Sequence, residues 1–252
     1  MNSIRIKYLF HSGYVVEFPD KILIFDYYKG ALSNFLKKDK KIYFFVSHGH
    51  KDHFNNKIFD YKDIGKTYFI LSNDILGVKK EGKILNIGQN KEEIENKKRI
   101  LGKNVHLMAS NQTFKIDDML IKTFGSTDLG VSFLVQTQGV GIFHAGDLNL
   151  WIWDEDTKEE REEMYKAFMK EIKKISQEKV DIAFFPLDPR LEERAEDGLK
   201  IFIDEVPSQL VFPMHQEDDY SKSISFFNSH SEYREVFKPI YDRGQTFIIS
   251  LE

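Results

Sequence analysis

The sequence predicts an α/β protein in which a mixed sheet, or two sheets, is covered by helices. Three observations carry this expectation. The first third of the chain is filled with short, closely spaced strand-like segments, the first with apolar residues at every second position. A segment beginning at Thr157 combines a capping pattern with apolar residues at helical spacing. A short, almost wholly apolar run, 42–46, suits a strand covered on both faces and leads directly into a cluster of histidines.

Taken in order, Ile4, Ile6, Tyr8 and Phe10 alternate along the first strand. Strands at 14–18 and 21–26 follow, joined by the turn pair Pro19-Asp20. After 42–46, further strands are expected at 68–71, 119–124, 131–137, 140–144, 181–187, 209–213 and 246–250. Thr157 and Glu160 form an S/T-x-x-E capping pattern, and Met164, Phe168, Ile172 and Ile175 then recur on one helical face, read as core packing. A weaker helix is expected over 194–206, interrupted by Gly198. With 252 residues, no short internal repeat and no linker, residues 1–252 are read as a single domain. An α/β domain of that length buries roughly 70–75% of its unfolded surface, enough for a core without staples.

Composition narrows the function classes. The chain has no cysteine, which excludes disulfides and thiolate metal sites and fits a reducing compartment. The opening MNSIRIKYLF is too short and charged for a signal peptide, and no apolar run approaches the ~20 residues of a membrane span. A cytoplasmic protein without a membrane partner is therefore expected. Net charge is −4, and the basic clusters Lys37-Lys38, Lys40-Lys41 and Lys97-Lys98-Arg99 lie beside acidic residues, so no nucleic-acid partner is expected.

The most informative segment is His48-Gly49-His50-Lys51-Asp52-His53, which holds three of the eight histidines and a carboxylate within six residues. Imidazole nitrogen and carboxylate oxygen are ligand types for Zn²⁺, Mn²⁺ or Fe. In a tight loop His48 and His50 can face one point while Asp52 and His53 reach another, with Gly49 allowing a sharp backbone turn.

This H-x-H-x-D-H pattern after an apolar strand resembles the signature of the metallo-β-lactamase superfamily. The likeness continues in order through His11-Ser12-Gly13-Tyr14 with Ile24-Phe25-Asp26, then His144-Ala145-Gly146-Asp147, then Phe212-Pro213-Met214-His215. The Ser-Gly-Tyr opening and the His-Ala-Gly-Asp segment are most similar to small bacterial hydrolases resembling L-ascorbate-6-phosphate lactonase. The resemblance implies an αββα sandwich, two mixed sheets flanked by helices. It implies that Asp26 braces the metal loop, that His48 and His50 hold one metal, that Asp52, His53 and His215 hold another, and that Asp147 lies between them. Asp52 and Asp147 are then the catalytic carboxylates. One or two Zn²⁺ per chain are expected, with Mn²⁺ or Fe as alternatives, and the implied chemistry is hydrolysis by metal-activated water.

The pattern breaks at one place. Most members of that superfamily carry a further histidine where this chain has Phe124-Gly125-Ser126-Thr127-Asp128. Asp128 could supply an oxygen ligand instead, the first metal could rest on His48, His50 and water, or the second site alone could be filled. A plain turn at Ser126-Thr127-Asp128 is the alternative without a ligand. His144 is expected to point away from the metals, with a hydrogen bond to a ligand as its possible role.

Asp188-Pro189-Arg190, beyond the strand at 181–187, is the candidate substrate-binding segment, with Arg190 suited to a carboxylate or phosphate. A surface ion pair of Arg190 with Glu192 or Glu193 is the alternative. Trp151 and Trp153 would either wall the site or pack on the following helix, the latter preferred, and 154–156 reads as a solvated loop. The expected function is metal-dependent hydrolysis of a small-molecule lactone, ester or phosphorylated metabolite. The alternatives are a binding or sensing protein with a degraded site, favoured by the missing histidine, and a nucleic-acid-processing hydrolase, which would require a basic channel or inserted domain. Oligomeric state is not legible.

Overall fold

The computed structural model describes residues 3–36, 39–76 and 102–250, so the basic groups Lys37-Lys38 and Lys97-Lys98-Arg99 lie outside it. The chain forms two compact units, Met1–Ala109 with Arg243–Glu252, and Ser110–Asp242. The first unit carries β1 (Ser3–Phe10), β2 (Gly13–Glu17), β3 (Lys21–Phe25), β4 (Lys41–Val46), β5 (Lys66–Ser72) and β6 (Val105–Met108). The second carries β7 (Thr113–Ile116), β8 (Met119–Phe124), β9 (Ser132–Thr137), β10 (Val140–His144), α1 (Lys158–Ile175), β11 (Ile182–Pro186), α2 (Asp197–Glu205), β12 (Leu210–Met214) and α3 (Ser221–Ser229). The chain then returns to the first unit as β13 (Thr246–Ser250).

Each unit is built on one mixed sheet. The first has the order β13-β1-β2-β3-β4-β5-β6 and the second β12-β11-β10-β9-β8-β7. In the first, β3, β4, β5 and β6 run parallel to their neighbours, and in the second β10, β11 and β12 do. The remaining pairings are antiparallel: β1–β13 joins strands from opposite ends of the sequence, and the others are hairpins. This division matters for function. The carboxyl ends of adjacent parallel strands all open on one edge of a sheet, and the loops leaving that edge converge.

The apolar run of β4 is buried throughout, as its composition predicts. Phe45 stacks on Phe25 at 4.8 Å, while the next residue back, Phe44, stacks on Phe69 at 5.6 Å. Successive strand residues point to opposite faces, so this pair of stacks requires burial on both. Ile58 and Phe59, from a short 3-10 helix, close one face over Ile22, Ile24, Ile42 and Leu71. Each fully buried Phe of this kind contributes about 1.5–3 kcal/mol.

In the second unit the capping box at Thr157 is complete. Thr157 Oγ1 accepts from the Glu160 N–H at 3.2 Å, and Glu160 Oε2 accepts from the Thr157 N–H at 2.8 Å. Phe168, Ile172 and Ile175 of α1 are buried as the stripe predicts, whereas Met164, in the same stripe, is only half-buried and lines a cavity. Phe202 of α2 stacks on Phe143 and Phe185, at 5.5 and 4.4 Å. The weaker helix begins later than expected, because Pro189–Arg194 forms a separate 3-10 helix first. Gly198 does not interrupt α2 but allows it to approach: a Cβ there would stand 2.1 Å from Asn149 Oδ1. The strands β6 and β7 and helix α3 carry short or irregular apolar patterns and were not expected from the sequence. No helix among the described residues is long and apolar enough to cross a membrane.

Gly141 tests how tightly this sheet is fitted. A Cβ at this β10 position would lie 2.1 Å from the carbonyl oxygen of Lys179, a backbone atom, and Gly141 also exchanges bonds with Asp181. Gly141→Ala is expected to lower stability by about 1–3 kcal/mol. An unchanged urea unfolding midpoint would contradict this fit.

Candidate metal centre

In the first unit the histidine loop leaves the carboxyl end of β4. Asp26, the residue after β3, sits beside it because Phe25 and Phe45 are in parallel register. Its buried carboxylate accepts from the Ser47 N–H at 2.7 Å, the Ser47 hydroxyl at 2.6 Å and His53 Nδ1 at 2.7 Å. Asp26 adopts φ 42, a left-handed conformation costly for a non-glycine residue and held here by those three bonds. The Ser47 hydroxyl in turn accepts from His48 Nδ1 at 3.0 Å. An oxygen acceptor on Nδ1 places the proton there and leaves Nε2 as the donor to a cation. His48 Nε2 and His50 Nδ1 face one another at 3.0 Å.

Gly49 lies in a backbone bend, as expected, and it also gives room. It is absent from the residues with positive φ, and its N–H is held by Asp74 Oδ2, at 2.8 Å, just beyond β5. A Cβ there would press on that carboxylate oxygen at 3.3 Å, so the glycine provides room.

Sequence reasoning missed His11 as a site residue. It lies between β1 and β2 at φ 55, with Nε2 3.4 Å from Asp52 Oδ2 and its ring edge-on to His53 at 5.2 Å. Ligand atoms of His11, Asp52 and His53 all lie within 4.8 Å of one another. The hydrogen bond from His11 is the main reason that Asp52 is held well below the usual carboxylate range, against the opposing effect of burial. Its position in the opening hairpin motif was the available signal.

In the second unit, Asp147, Asp188 and His215 follow β10, β11 and β12, three neighbouring parallel strands. His215 is buried, adopts φ 69, donates from Nδ1 to Asp188 Oδ2 at 2.7 Å and places Nε2 3.4 Å from Asp147 Oδ1. Burial alone would lower its pKa, but its hydrogen bonds with Asp147 and Asp188 raise it to about 9. Asp188 is pushed upward by burial, yet His215 and Arg190 hold it well below the usual range. Trp151 Nε1 donates to the Asp147 carbonyl at 2.8 Å. Trp151 and Trp153 stack with planes 8° apart and line a cavity of about 430 Å³ with Thr127, Asp128, Asp147, Met164, Arg190 and His215.

Several expectations are corrected by these positions. The Asp188 carboxylate is 1% exposed and is taken up by His215 and Arg190, so it acts on a substrate only through them. Arg190 pairs with Asp188 rather than with Glu192 or Glu193. Asp128 is exposed, its N–H turns back to Ser126 Oγ at 3.2 Å, and it lines the cavity with Asp147 and His215. Thr127 beside it binds the Asn149 carbonyl at 2.6 Å and N–H at 3.0 Å, fastening the segment after Asp147. Trp151 and Trp153 form a cavity wall, and Asp156 is tied to the Trp153 N–H at 2.6 Å rather than merely solvated. His144 is buried and accepts from the Gly146 N–H at 3.2 Å, bracing the turn before Asp147.

The donor set suits a divalent cation. Two ligands of one tetrahedral Zn²⁺ lie about 3.3 Å apart. The separations within each unit are 3.0 Å for His48–His50, 3.4 Å for His11–Asp52 and 3.4 Å for His215–Asp147.

The sequence pattern of the beta-lactamase superfamily domain matches residues 5–163. The chain belongs to the beta-lactamase superfamily. Solved structures with the same fold include a metallo hydrolase from the archaeon Ignicoccus hospitalis, with TM-score 0.68 and 14% identity over 99% of this chain and 100% of that one. A metal-dependent hydrolase from Parabacteroides distasonis has TM-score 0.61 and 13% identity over 94% and 92% of the two chains. CmlA, a diiron β-hydroxylase from Streptomyces venezuelae, has TM-score 0.65 and 10% identity, covering 98% of this chain and 54% of its own. These likenesses establish the metallo-β-lactamase fold, two mixed sheets with helices. No curated protein sequence matches the chain significantly.

For this superfamily member the raised pKa of His215 has a measurable consequence in metal-free protein. A folded-state pKa near 9 against 6.5 unfolded means that the pairing stabilises fully below about pH 6.5 and is lost as pH rises through about 9. The urea midpoint of metal-free protein should fall across that window, and His215→Gln should flatten the fall. A wild-type midpoint that is flat from pH 6.5 to 9.5 would contradict the pairing.

Proposed function

We propose that this protein is a metal-dependent hydrolase of a small molecule, a lactone, an ester or a phosphorylated metabolite, with His48, His50, Asp52, His53, Asp147 and His215 as cation ligands. The observation that carries this reading is the treatment of three imidazoles. His48, His53 and His215 each have Nδ1 engaged by an oxygen, 3.0, 2.7 and 2.7 Å away, which orients Nε2 for a metal. Core packing gives no reason to orient three buried histidines in the same way.

One or two Zn²⁺ per chain suit this donor set, with Mn²⁺ or Fe also served by it. A bound cation supplies Lewis acidity and lowers the pKa of water toward ~7. The chain's own groups do the rest. Asp52, kept ionised by its hydrogen bond with His11, would offer a carboxylate oxygen to the cation and so position the reacting centre. Asp147 contributes the charge that holds and positions the reacting centre. Trp151 and Trp153 exclude water from one side of the substrate, and Arg190 offers its outer N–H groups to an anionic portion. Similarity to the ascorbate-6-phosphate lactonase group supports placing lactones first among substrates. The second reading, a binding or sensing protein, is favoured by Thr127, whose bonds fasten the backbone where superfamily members usually carry a ligand histidine.

Two measurements test the proposal. Asp52→Ala and His53→Ala should each leave less than one tightly bound metal per chain, and unchanged metal content in both would remove these ligands from the reading. Asp147→Asn should fold, yet lose at least ~10²-fold in turnover, about 2.7 kcal/mol of transition-state stabilisation. Wild-type turnover in that variant would refute the role of Asp147. Absence of hydrolysis by metal-loaded wild type across esters, lactones and phosphoesters would favour the sensing protein.

A further inference from the structure

The cavity beside Asp147 and His215 has two chemically different ends. At one end stand the candidate ligands and Trp151, whose ring meets that of His215 at 5.4 Å. From there the wall continues through Trp153, stacked on Trp151 at 6.3 Å, to Asp156, Glu160 and Met164. Asp156 accepts the Trp153 N–H through Oδ2, and Glu160 serves the capping box through Oε2. Each therefore retains a second carboxylate oxygen, Asp156 Oδ1 and Glu160 Oε1. Asp128, also in the lining, makes no ion pair among the described residues, and neither do Asp156 and Glu160.

Nearby cations do not neutralise this end. Arg190, the one basic Lys or Arg in the lining, is matched by Asp188, whose two oxygens accept from its Nε at 3.0 Å each. Arg161 donates to the carbonyls of Trp153 and Asp154, at 3.0 and 2.8 Å, and lies outside the lining. What remains is a π-rich wall that runs from buried Trp151 through half-buried Trp153 and Asp156 to the exposed carboxylates of Glu160 and Asp128. Indole faces attract cations through the ring quadrupole, and ionised carboxylates add direct attraction.

We propose that this cavity selects substrates that carry an ammonium group on an apolar body, the cation lying against Trp153, Asp156 and Glu160 and the hydrolysable group at Asp147 and His215. This rests on the hydrolase reading for the reacting end but is tested apart from it. The chain contains two tryptophans, and both line the cavity, so tryptophan emission excited selectively over the tyrosines reports on this cavity. Benzyltrimethylammonium should quench or shift this emission with at least about 10-fold higher affinity than 3-phenylpropionate or methyl β-glucoside, preferably in metal-loaded protein. Asp156→Asn combined with Glu160→Gln keeps the acceptor for the Trp153 N–H and a capping-box side chain, and should reduce that preference about 5-fold or more with metal content unchanged. Equal or tighter binding of the anion or the sugar would overturn the proposal, as would undetectable binding of the ammonium probe at 10 mM, roughly a millimolar-range ceiling for a weak specific contact. A double variant that retains the full preference would overturn the role of the carboxylates. Hydrolysis of a choline ester and its uncharged 3,3-dimethylbutyl isostere then separates the two readings. If the ammonium probe binds selectively but metal-loaded protein cleaves neither these esters nor any lactone or phosphoester, the hydrolase reading fails and this one stands. If both are cleaved with equal kcat/KM, the hydrolase reading stands and this one fails.

Discussion

The carboxylate of Asp26 is the constraint on which the histidine loop depends. It sits one residue beyond β3, and parallel pairing with β4 sets it against Ser47. Through three short bonds it fixes the backbone of Ser47, the hydroxyl of Ser47 and the ring of His53. The hydroxyl passes the same constraint to His48, so two of the three loop histidines take their orientation from one acid. A buried carboxylate without such donors would cost several kcal/mol in desolvation. With them, the group is both compensated and directional, and its left-handed backbone is held by the bonds it makes.

The second unit solves the same problem with different residues. There, too, adjacent parallel strands end in acids and a histidine, because side chains placed just past neighbouring carboxyl ends have to meet. Asp188 stands to His215 as Asp26 stands to His53: each accepts from Nδ1 at 2.7 Å and leaves Nε2 as the outward nitrogen. Thr127 and Trp151 hold the Asp147 segment by its backbone, while the Asp147 carboxylate faces His215 Nε2. The site residues are therefore fixed mainly by hydrogen bonds to groups that would not themselves touch a metal.

The departure at Ser126-Thr127-Asp128 acquires a physical meaning in this setting. The position usually given to a ligand histidine here performs mechanical work, with Thr127 bonded to both backbone groups of Asn149. His11, by contrast, adds an imidazole next to Asp52 and His53. Against the ligand pattern that the resemblance implied, the candidate donor set is rearranged as well as reduced. The same fold occurs in structures described as a metallo hydrolase and as a diiron β-hydroxylase, so the chemistry is set by the site and not by the fold.

What the sequence alone determined is local or ordered along the chain. The strand at 42–46, the capping box at Thr157, the apolar stripe at Phe168, Ile172 and Ile175, and the H-x-H-x-D-H loop are all periodic or contiguous signals, and each has its structural counterpart. What only tertiary structure decided is every relation between residues far apart in sequence. That His11 meets Asp52, that Asp188 accepts from His215, and that Gly198 makes room for Asn149 depend on separations of 25 to 50 residues closed by strand pairing and helix docking. Trp151, Trp153 and Met164 show the reason most plainly. Their sequence spacing fits packing on a helix, but an apolar side chain lines a cavity or fills a core according to what stands opposite it, and that is settled only when the sheet and helix come together.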